Sequence, residues 1–357
     1  MIPGMKGSIA TIVRQSRHIA LAATRAMGIS EFIAQSEWRR NRLLILCYHG
    51  ISIDDEHEWE PGLFMSRSSF RSRLRLLRDE KCAVLPLDEA VNRLKDGTLP
   101  RKSVAVTFDD GFYNFYSVAA PLLRDFDIPA TNYVSTFHCI DQKPILRLFI
   151  RYSLWRARQL QVHSVRLPDL ADQFPVHDNQ SIDATATVWW EWLRANVPDH
   201  DARLCSVQEV LKPYGVDCDA IRRRRLLGLM NVDELRAMAV QGIDIQMHTH
   251  RHRTPRDLVD FRGELLQNRA VLSDACNTAP AHFCYPSGDH DASFLPVLKE
   301  CGVKSATTCE TALATVADDP LLLPRFIDTM GQSETMFVSW LTGAAQFAAR
   351  RARTSYD

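Results

Sequence analysis

Residues 104–111 read Val104-Ala105-Val106-Thr107-Phe108-Asp109-Asp110-Gly111, a short apolar run that ends in two adjacent acids and a glycine. A run this short, closed by a turn residue, reads as a buried strand. Five further runs share its character: Leu43–Tyr48, Ala130–Val134, Ile243–Met247, His282–Tyr285 and Lys304–Thr308. Most are apolar on both faces, as in a sheet covered on both sides. Helical spacing of apolar residues fills the intervals at Phe70–Leu77, Val118–Phe126, Val232–Val240, Phe261–Ala275 and Phe294–Cys301, with Asp88 as the expected cap of a helix through Leu94. Alternating strands and helices imply an α/β fold with a parallel sheet, either open and wound or closed into a barrel.

The rhythm breaks between residues 138 and 230. That stretch holds Trp155, Trp189, Trp190 and Trp192 among arginine-rich helical patterns, with no clear strand. It reads as a mostly helical insertion, a lid or a partner surface. The chain thus divides into a helical extension (1–40), a two-piece α/β domain (41–137 and 231–335), the insertion (138–230) and a C-terminal helix and tail (336–357). The run Arg222-Arg223-Arg224-Arg225 is expected to form a solvated helix face. Residues 8–30 are mildly apolar but interrupted by Arg14, Arg17, His18 and Arg25, and residues 336–353 are similar. Each reads as a surface helix or as a helix lying on a membrane face. Neither approaches the ~20 apolar residues needed to span a bilayer.

Apolar residues make up 46% of the 357, enough for a sizeable core. Lysine plus arginine equals aspartate plus glutamate at 43 each, so no net field draws nucleic acid, and no nucleic-acid partner is expected. Nine cysteines, an odd number without a Cys-x-x-Cys, argue against a disulfide framework and for a reducing compartment. No secretory signal is recognised, so the expected location is the cytoplasm, with contact to the inner membrane face as a companion expectation.

Asp109 and Asp110 stand at the carboxyl end of a strand, where α/β sites form. Neighbours on a strand point to opposite sides, so two acids in a row share a site only if the chain turns, and Gly111 permits that turn. Alone, the pair also fits an acid at a helix N-cap. In Met247-His248-Thr249-His250-Arg251-His252 the spacing of His248 and His252 is i, i+4, which in a helical turn aims both imidazoles at one point. Alone, that stretch also fits a solvated histidine-rich turn before Pro255. Together, Asp110, His248 and His252 form a His-His-carboxylate set with open positions, and Asp109 is left to move a proton. Zinc suits these donors, as do iron, cobalt and nickel.

These residues resemble the polysaccharide deacetylase family, the NodB-homology group of carbohydrate esterases. Its first motif stands unbroken at Thr107-Phe108-Asp109-Asp110-Gly111, its His-Ser/Thr-x-x-His at 248–252, and its third motif is recognisable in Phe283-Cys284-Tyr285-Pro286-Ser287-Gly288. Cys47-Tyr48-His49-Gly50 and Pro129-Ala130-Thr131 before Tyr133-Val134 resemble the branch that starts its domain with a Tyr-His strand. The resemblance covers roughly 41–136 and 231–330, the insertion accounting for the long gap between the first two motifs. It implies a distorted (β/α) barrel of about seven parallel strands. It also implies Asp109 as general base, Asp110, His248 and His252 as metal ligands, and His49 as the acid that protonates the leaving amine. The Ser287 N–H would help hold the oxyanion, and Tyr285 and Pro286 would contact the sugar. Cys284 stands where the family usually carries the arginine that holds the base, and Arg325 in Leu323-Pro324-Arg325 is the candidate to replace it from a later strand. Ser287 replaces the usual aromatic. Cys284, with no histidine beside it, is expected to be a buried structural thiol rather than a nucleophile.

The resemblance implies metal-dependent hydrolysis of N-acetyl groups on amino sugars in a polysaccharide or glycan precursor. From a cytoplasmic location, a lipid-linked or nucleotide-linked precursor is the expected partner. An O-acetyl ester or a non-sugar amide presents the same kind of carbonyl, and a vestigial glycan-binding scaffold is the non-enzymatic alternative.

Overall fold

A computed structural model of the chain describes residues 19–170 and 172–348. Eight strands form the main sheet: β1 Leu44–Tyr48, β2 Ala83–Val84, β3 Ser103–Phe108, β4 Thr131–Val134, β5 Asp244–Met247, β6 His282–Cys284, β7 Ser305–Thr307 and β8 Phe326–Ile327. They run parallel in the order β7-β6-β5-β4-β3-β1-β8, with β2 beside the start of β3. Every residue of β1, β3 and β4 is buried, because helices cover the outer face and side chains fill the inner one. The sheet curls. Leu323 bridges Thr307 on the far edge, and β8 pairs with β1 at Leu46–Phe326 and Cys47–Ile327. One short segment therefore touches both edges, which yields the distorted barrel that the resemblance implied.

The six strands read from apolar runs are all present, shifted by at most a residue at either end. β2 and β8 were not legible, since two-residue strands carry no periodicity. The helix expected behind Asp88 spans Leu87–Lys95 and follows Pro86; Asp88 lies inside its first turn and accepts from Lys304 and His282 instead of capping it.

Among the described residues, no strand of the main sheet lies between Val134 and Asp244. The intervening chain forms helices Leu146–Gln159, Asn179–Asn196, His200–Leu211 and Cys218–Arg223 around the buried indoles of Trp155 and Trp189. Contrary to the expectation of no strand, Ser164–Arg166 pairs antiparallel with Gln173–Pro175. The four arginines at 222–225 are each matched to an acid: Asp219, Asp217, Asp54 and Glu234. The segment returns to the barrel through Gly228 and Met230. The Tyr113 N–H donates to the Gly228 carbonyl and the Met230 N–H to that of Gly111, which pins the returning chain to the turn after the acid pair.

Of the expected N-terminal helix, residues 8–18 lie outside the described residues; 19–26 are helical, followed by Ile29–Gln35. At the other end, 349–353 lie outside them. Helix Glu334–Thr342 is not the surface helix expected: it buries Phe337, Trp340 and Leu341, with Trp340 stacked on Phe326, and the exposed Phe347 belongs to the helix that follows, Ala344–Ala348.

Candidate active site

Strand register decides what meets at the carboxyl ends. Tyr48 lies level with Phe108, Val134 with Met247, and Met247 with Phe283. His49 and Asp109 therefore leave the sheet side by side, and His248 leaves it beside Cys284. Immediately after β3 the chain turns through Asp110 (φ 73°) and Gly111 (φ 85°), both left-handed. Glycine is required at 111 for a second reason: a Cβ there would lie 2.7 Å from Val134 Cγ1. The turn sends the two carboxylates to different surroundings.

Asp109 points into the barrel. Arg325 Nη1 and Nη2 donate to its two oxygens, each at 2.8 Å, a bidentate charge-assisted pair with the guanidinium fully buried. The same guanidinium donates through Nε to the Thr308 carbonyl at 3.0 Å. The thiols of Cys47 and Cys284 donate to Asp109 Oδ2 at 3.5 and 3.4 Å. Burial alone would raise the carboxyl pKa; Arg325 outweighs it and holds the group well below the usual carboxylate range. Burial, with Asp109 adding to it, pushes both thiols well up, so they stay protonated donors. Arg325 thus holds Asp109, the task for which a third-motif arginine was expected, and Cys284 is a buried thiol. His49 Nε2 sits 4.0 Å from Asp109 Oδ2 with its side chain 21% exposed.

Asp110 faces outward. His248 Nε2 and His252 Nε2 lie 3.3 and 3.1 Å from its Oδ1. Ligand bonds of about 2.1 Å meeting near a right angle leave donors about 3.0–3.3 Å apart, so this spacing fits a divalent cation at their centre. His248 Nδ1 lies 2.8 Å from the Cys284 carbonyl, which can only accept, so Nδ1 carries the proton and Nε2 faces Asp110. His248 is buried, whereas the His252 side chain is 42% exposed, so the set opens to solvent on one side. Two further donor groupings, Cys47–His49–Asp109 and Asp109–His248–Cys284, also converge among the described residues. Both draw on Asp109, whose oxygens Arg325 already engages.

The sequence spacing of the two histidines held, but not its expected geometry. Residues 248–252 form a loop rather than a helical turn, with Thr249 (φ 59°) and His252 (φ 53°) left-handed. Two positive-φ residues fold the loop back on itself and bring the imidazole centroids to 4.9 Å. Buried polar groups on helix Leu258–Cys276 hold it there. Asn268 Oδ1 accepts from the His248 N–H at 3.0 Å, and Asn268 Nδ2 donates to the Val134 carbonyl at 2.9 Å. Glu264 accepts from the Arg251 N–H and from the Arg251 and Arg253 side chains. Sequence reasoning missed both residues. Their signal was a polar pair at i, i+4 on an otherwise apolar helix face with Phe261, Leu265 and Leu272.

The expected sugar contacts do not reach the surface. Tyr285 is fully buried and donates its hydroxyl to the Leu321 carbonyl at 3.1 Å, and Pro286 is buried beside it. Both belong to the wall behind the site, because β6 runs into a tight turn there. Ser287 is the exposed member, in the left-handed region at φ 57°. The N–H groups of Gly288 and Asp289 are spent on the carbonyls of Tyr285 and Pro286 within that turn.

The sequence profile of the polysaccharide deacetylase family matches residues 96–200 and 206–306. A poly-beta-1,6-N-acetyl-D-glucosamine N-deacetylase of Staphylococcus aureus (strain MSSA476) is 30% identical over 116 residues, 30% of this chain and 39% of that protein. The Staphylococcus epidermidis protein of the same name is 27% identical over 135 residues, 33% of this chain and 47% of that one. The match thus spans less than half the length of these relatives. Among solved structures, Streptococcus pyogenes deacetylase PplD in complex with acetate superposes with a TM-score of 0.54 at 19% identity, over 82% of this chain and 94% of that one. IcaB from Ammonifex degensii gives a TM-score of 0.52 at 17% identity, over 84% and 97%. At such identities the structural likeness shows the fold, while the profile match, over more than half of the residues, shows the kinship. The chain belongs to the polysaccharide deacetylase family, a family of hydrolases.

Proposed function

We propose that this protein is a metal-dependent hydrolase that removes N-acetyl groups from the amino sugars of a polysaccharide, with a polymer of N-acetylglucosamine as the first candidate. One observation carries the reading: of two adjacent carboxylates, one is locked by Arg325 and the other faces two imidazoles. The names of the staphylococcal relatives support the substrate class. Arg325 on Asp109 supports an intact site over a vestigial one.

Asp110, His248 and His252 would hold the cation, zinc first among zinc, cobalt, nickel and iron. Bound there, it supplies Lewis-acid polarisation of the acetyl carbonyl and an attacking water acidic enough for a weak base. Asp109, kept ionised by Arg325, accepts the proton of that water as the new C–O bond forms. The N–H of Ser287, on the exposed turn after β6, donates to the developing oxyanion. His49, partly open to solvent and 4.0 Å from Asp109, gives a proton to the amine as the C–N bond breaks. Acetate and a free amino sugar leave.

The test is acetate release from an N-acetylglucosamine oligomer by zinc-loaded protein. The proposal expects turnover that vanishes in Asp109→Asn. Full turnover by that variant would remove Asp109 from the base role. Release from O-acetylated sugars alone would move the activity to the ester.

A further inference from the structure

At the amino ends of the strands, opposite the active site, the two ends of the chain meet. Helix Ile29–Gln35 packs on helices Glu334–Thr342 and Ala344–Ala348. Phe347 stacks on Trp38 at 4.6 Å between ring centroids, and the Arg42 guanidinium lies 4.1 Å over the same indole. Arg39, fully buried, donates to the Leu341 and Ser103 carbonyls and so fixes this assembly to the start of β3. The assembly exposes several large apolar side chains, beside the exposed and mutually paired Glu37 and Arg40. Ile19, Met27, Phe32 and Phe347 are 68, 65, 78 and 67% exposed, and Ile29 is 41% exposed. Between residues 19 and 32 the charged side chains are Arg25 and Glu31, already bonded to Glu80 and Gln35.

This is a large area of water-facing hydrocarbon for one short stretch. The flanking sequence selects what covers it. Residues 1–18 carry Lys6, Arg14 and Arg17 and no acid, and residues 349–357 carry Arg350, Arg351 and Arg353 against the single acid Asp357. The chain as a whole is neutral, so positive charge is concentrated in the two terminal stretches, which adjoin in sequence the segments that carry Ile19 and Phe347. Exposed apolar side chains flanked in sequence by cationic stretches are the pattern of a surface that rests on anionic lipid: the hydrocarbon enters the headgroup boundary and the cations meet the phosphates. Among the described residues no helix is long and apolar enough to cross a membrane.

We infer that the paired chain ends form a docking surface for an anionic lipid bilayer, with Phe32, Met27 and Phe347 as the inserting side chains. The orientation follows. Six-residue β3 separates Ser103 at the docked end from Asp109 at the site, a span of about 20 Å, so the site faces away from the lipid. Docked this way, the protein meets a glycan chain extending from the surface rather than a sugar held at the headgroups. The docking itself does not depend on the proposed reaction.

The full chain is incubated with sedimentable vesicles of phosphatidylcholine alone, or mixed with phosphatidylglycerol in a ratio of about two to one. Binding to the mixed vesicles is expected to be about tenfold tighter or more, and to weaken as salt is raised. Met27→Asp with Phe32→Asp should lower it at least about tenfold, and Arg350→Glu with Arg351→Glu and Arg353→Glu should abolish the preference for phosphatidylglycerol. Three results would overturn the inference. They are no vesicle binding, equal binding to both vesicle types, or a self-associating protein that Phe32→Asp turns monomeric without any effect on lipid.

Discussion

Asp109 and Asp110 are neighbours in sequence and opposites in surroundings. Asp109 is buried, held by a fully buried guanidinium and two thiols. Asp110 lies at the rim, facing two imidazoles, one of them substantially exposed. Both are drawn below the ordinary carboxylate pKa against the opposing effect of burial, Asp109 chiefly by Arg325 and Asp110 chiefly by His252 and His248. The same side chain is thus prepared for different tasks by its partners alone. A carboxylate whose partner never leaves is a fixed charge and proton acceptor, whereas one whose partners are metal-competent nitrogens is a ligand.

The largest expected effect breaks the open side. His248→Ala removes one of the three donors around the proposed cation, and acetate release should fall by roughly a thousandfold with loss of bound zinc, read by metal analysis of the purified variant. Next is the closed side. In Arg325→Met the Asp109 carboxylate keeps its burial and loses its cation. The raising effect of burial is then unopposed, so Asp109 is protonated at a pH where the wild type is ionised. Turnover near neutrality should drop about a hundredfold, and the acid limb of the pH profile should move to higher pH. Arg325→Lys, which keeps the charge without the bidentate fork, should fall between the two.

A smaller effect is expected one layer out. Asn268→Ala frees the His248 N–H and loosens the loop, and zinc affinity should weaken about ten- to hundredfold while the unfolding transition moves little. Smallest is Tyr285→Phe. It deletes one buried hydrogen bond to Leu321, so stability should fall by about 1 kcal/mol in denaturant titration, with turnover unchanged. A large loss of turnover there would restore the sugar contact that burial argues against.

The contrast also marks what the sequence could disclose. The acid pair was legible because a buried strand followed by glycine demands a turn, and the structure turns there. Arg325 was findable through the resemblance, as a stand-in for the third-motif arginine, although β8, which begins at the next residue and is two residues long, was not. The two histidines were legible as a spacing and not as a shape, since the loop owes its form to left-handed Thr249 and His252 and to polar posts on a distant helix. Tyr285 and Pro286 failed for a related reason: motif position says which strand end a residue occupies, not which side of the turn it faces. The insertion followed its helical signals except where residues 164–166 and 173–175 pair, a contact too short to leave a pattern.

The division of labour between the two acids is tested most directly by titrating zinc into Asp109→Asn and Asp110→Asn in parallel, with acetate release measured on each. The account predicts that Asp109→Asn binds zinc nearly as the wild type does and turns nothing over, while Asp110→Asn loses both. Loss of zinc from Asp109→Asn, or retained zinc and turnover in Asp110→Asn, would contradict it.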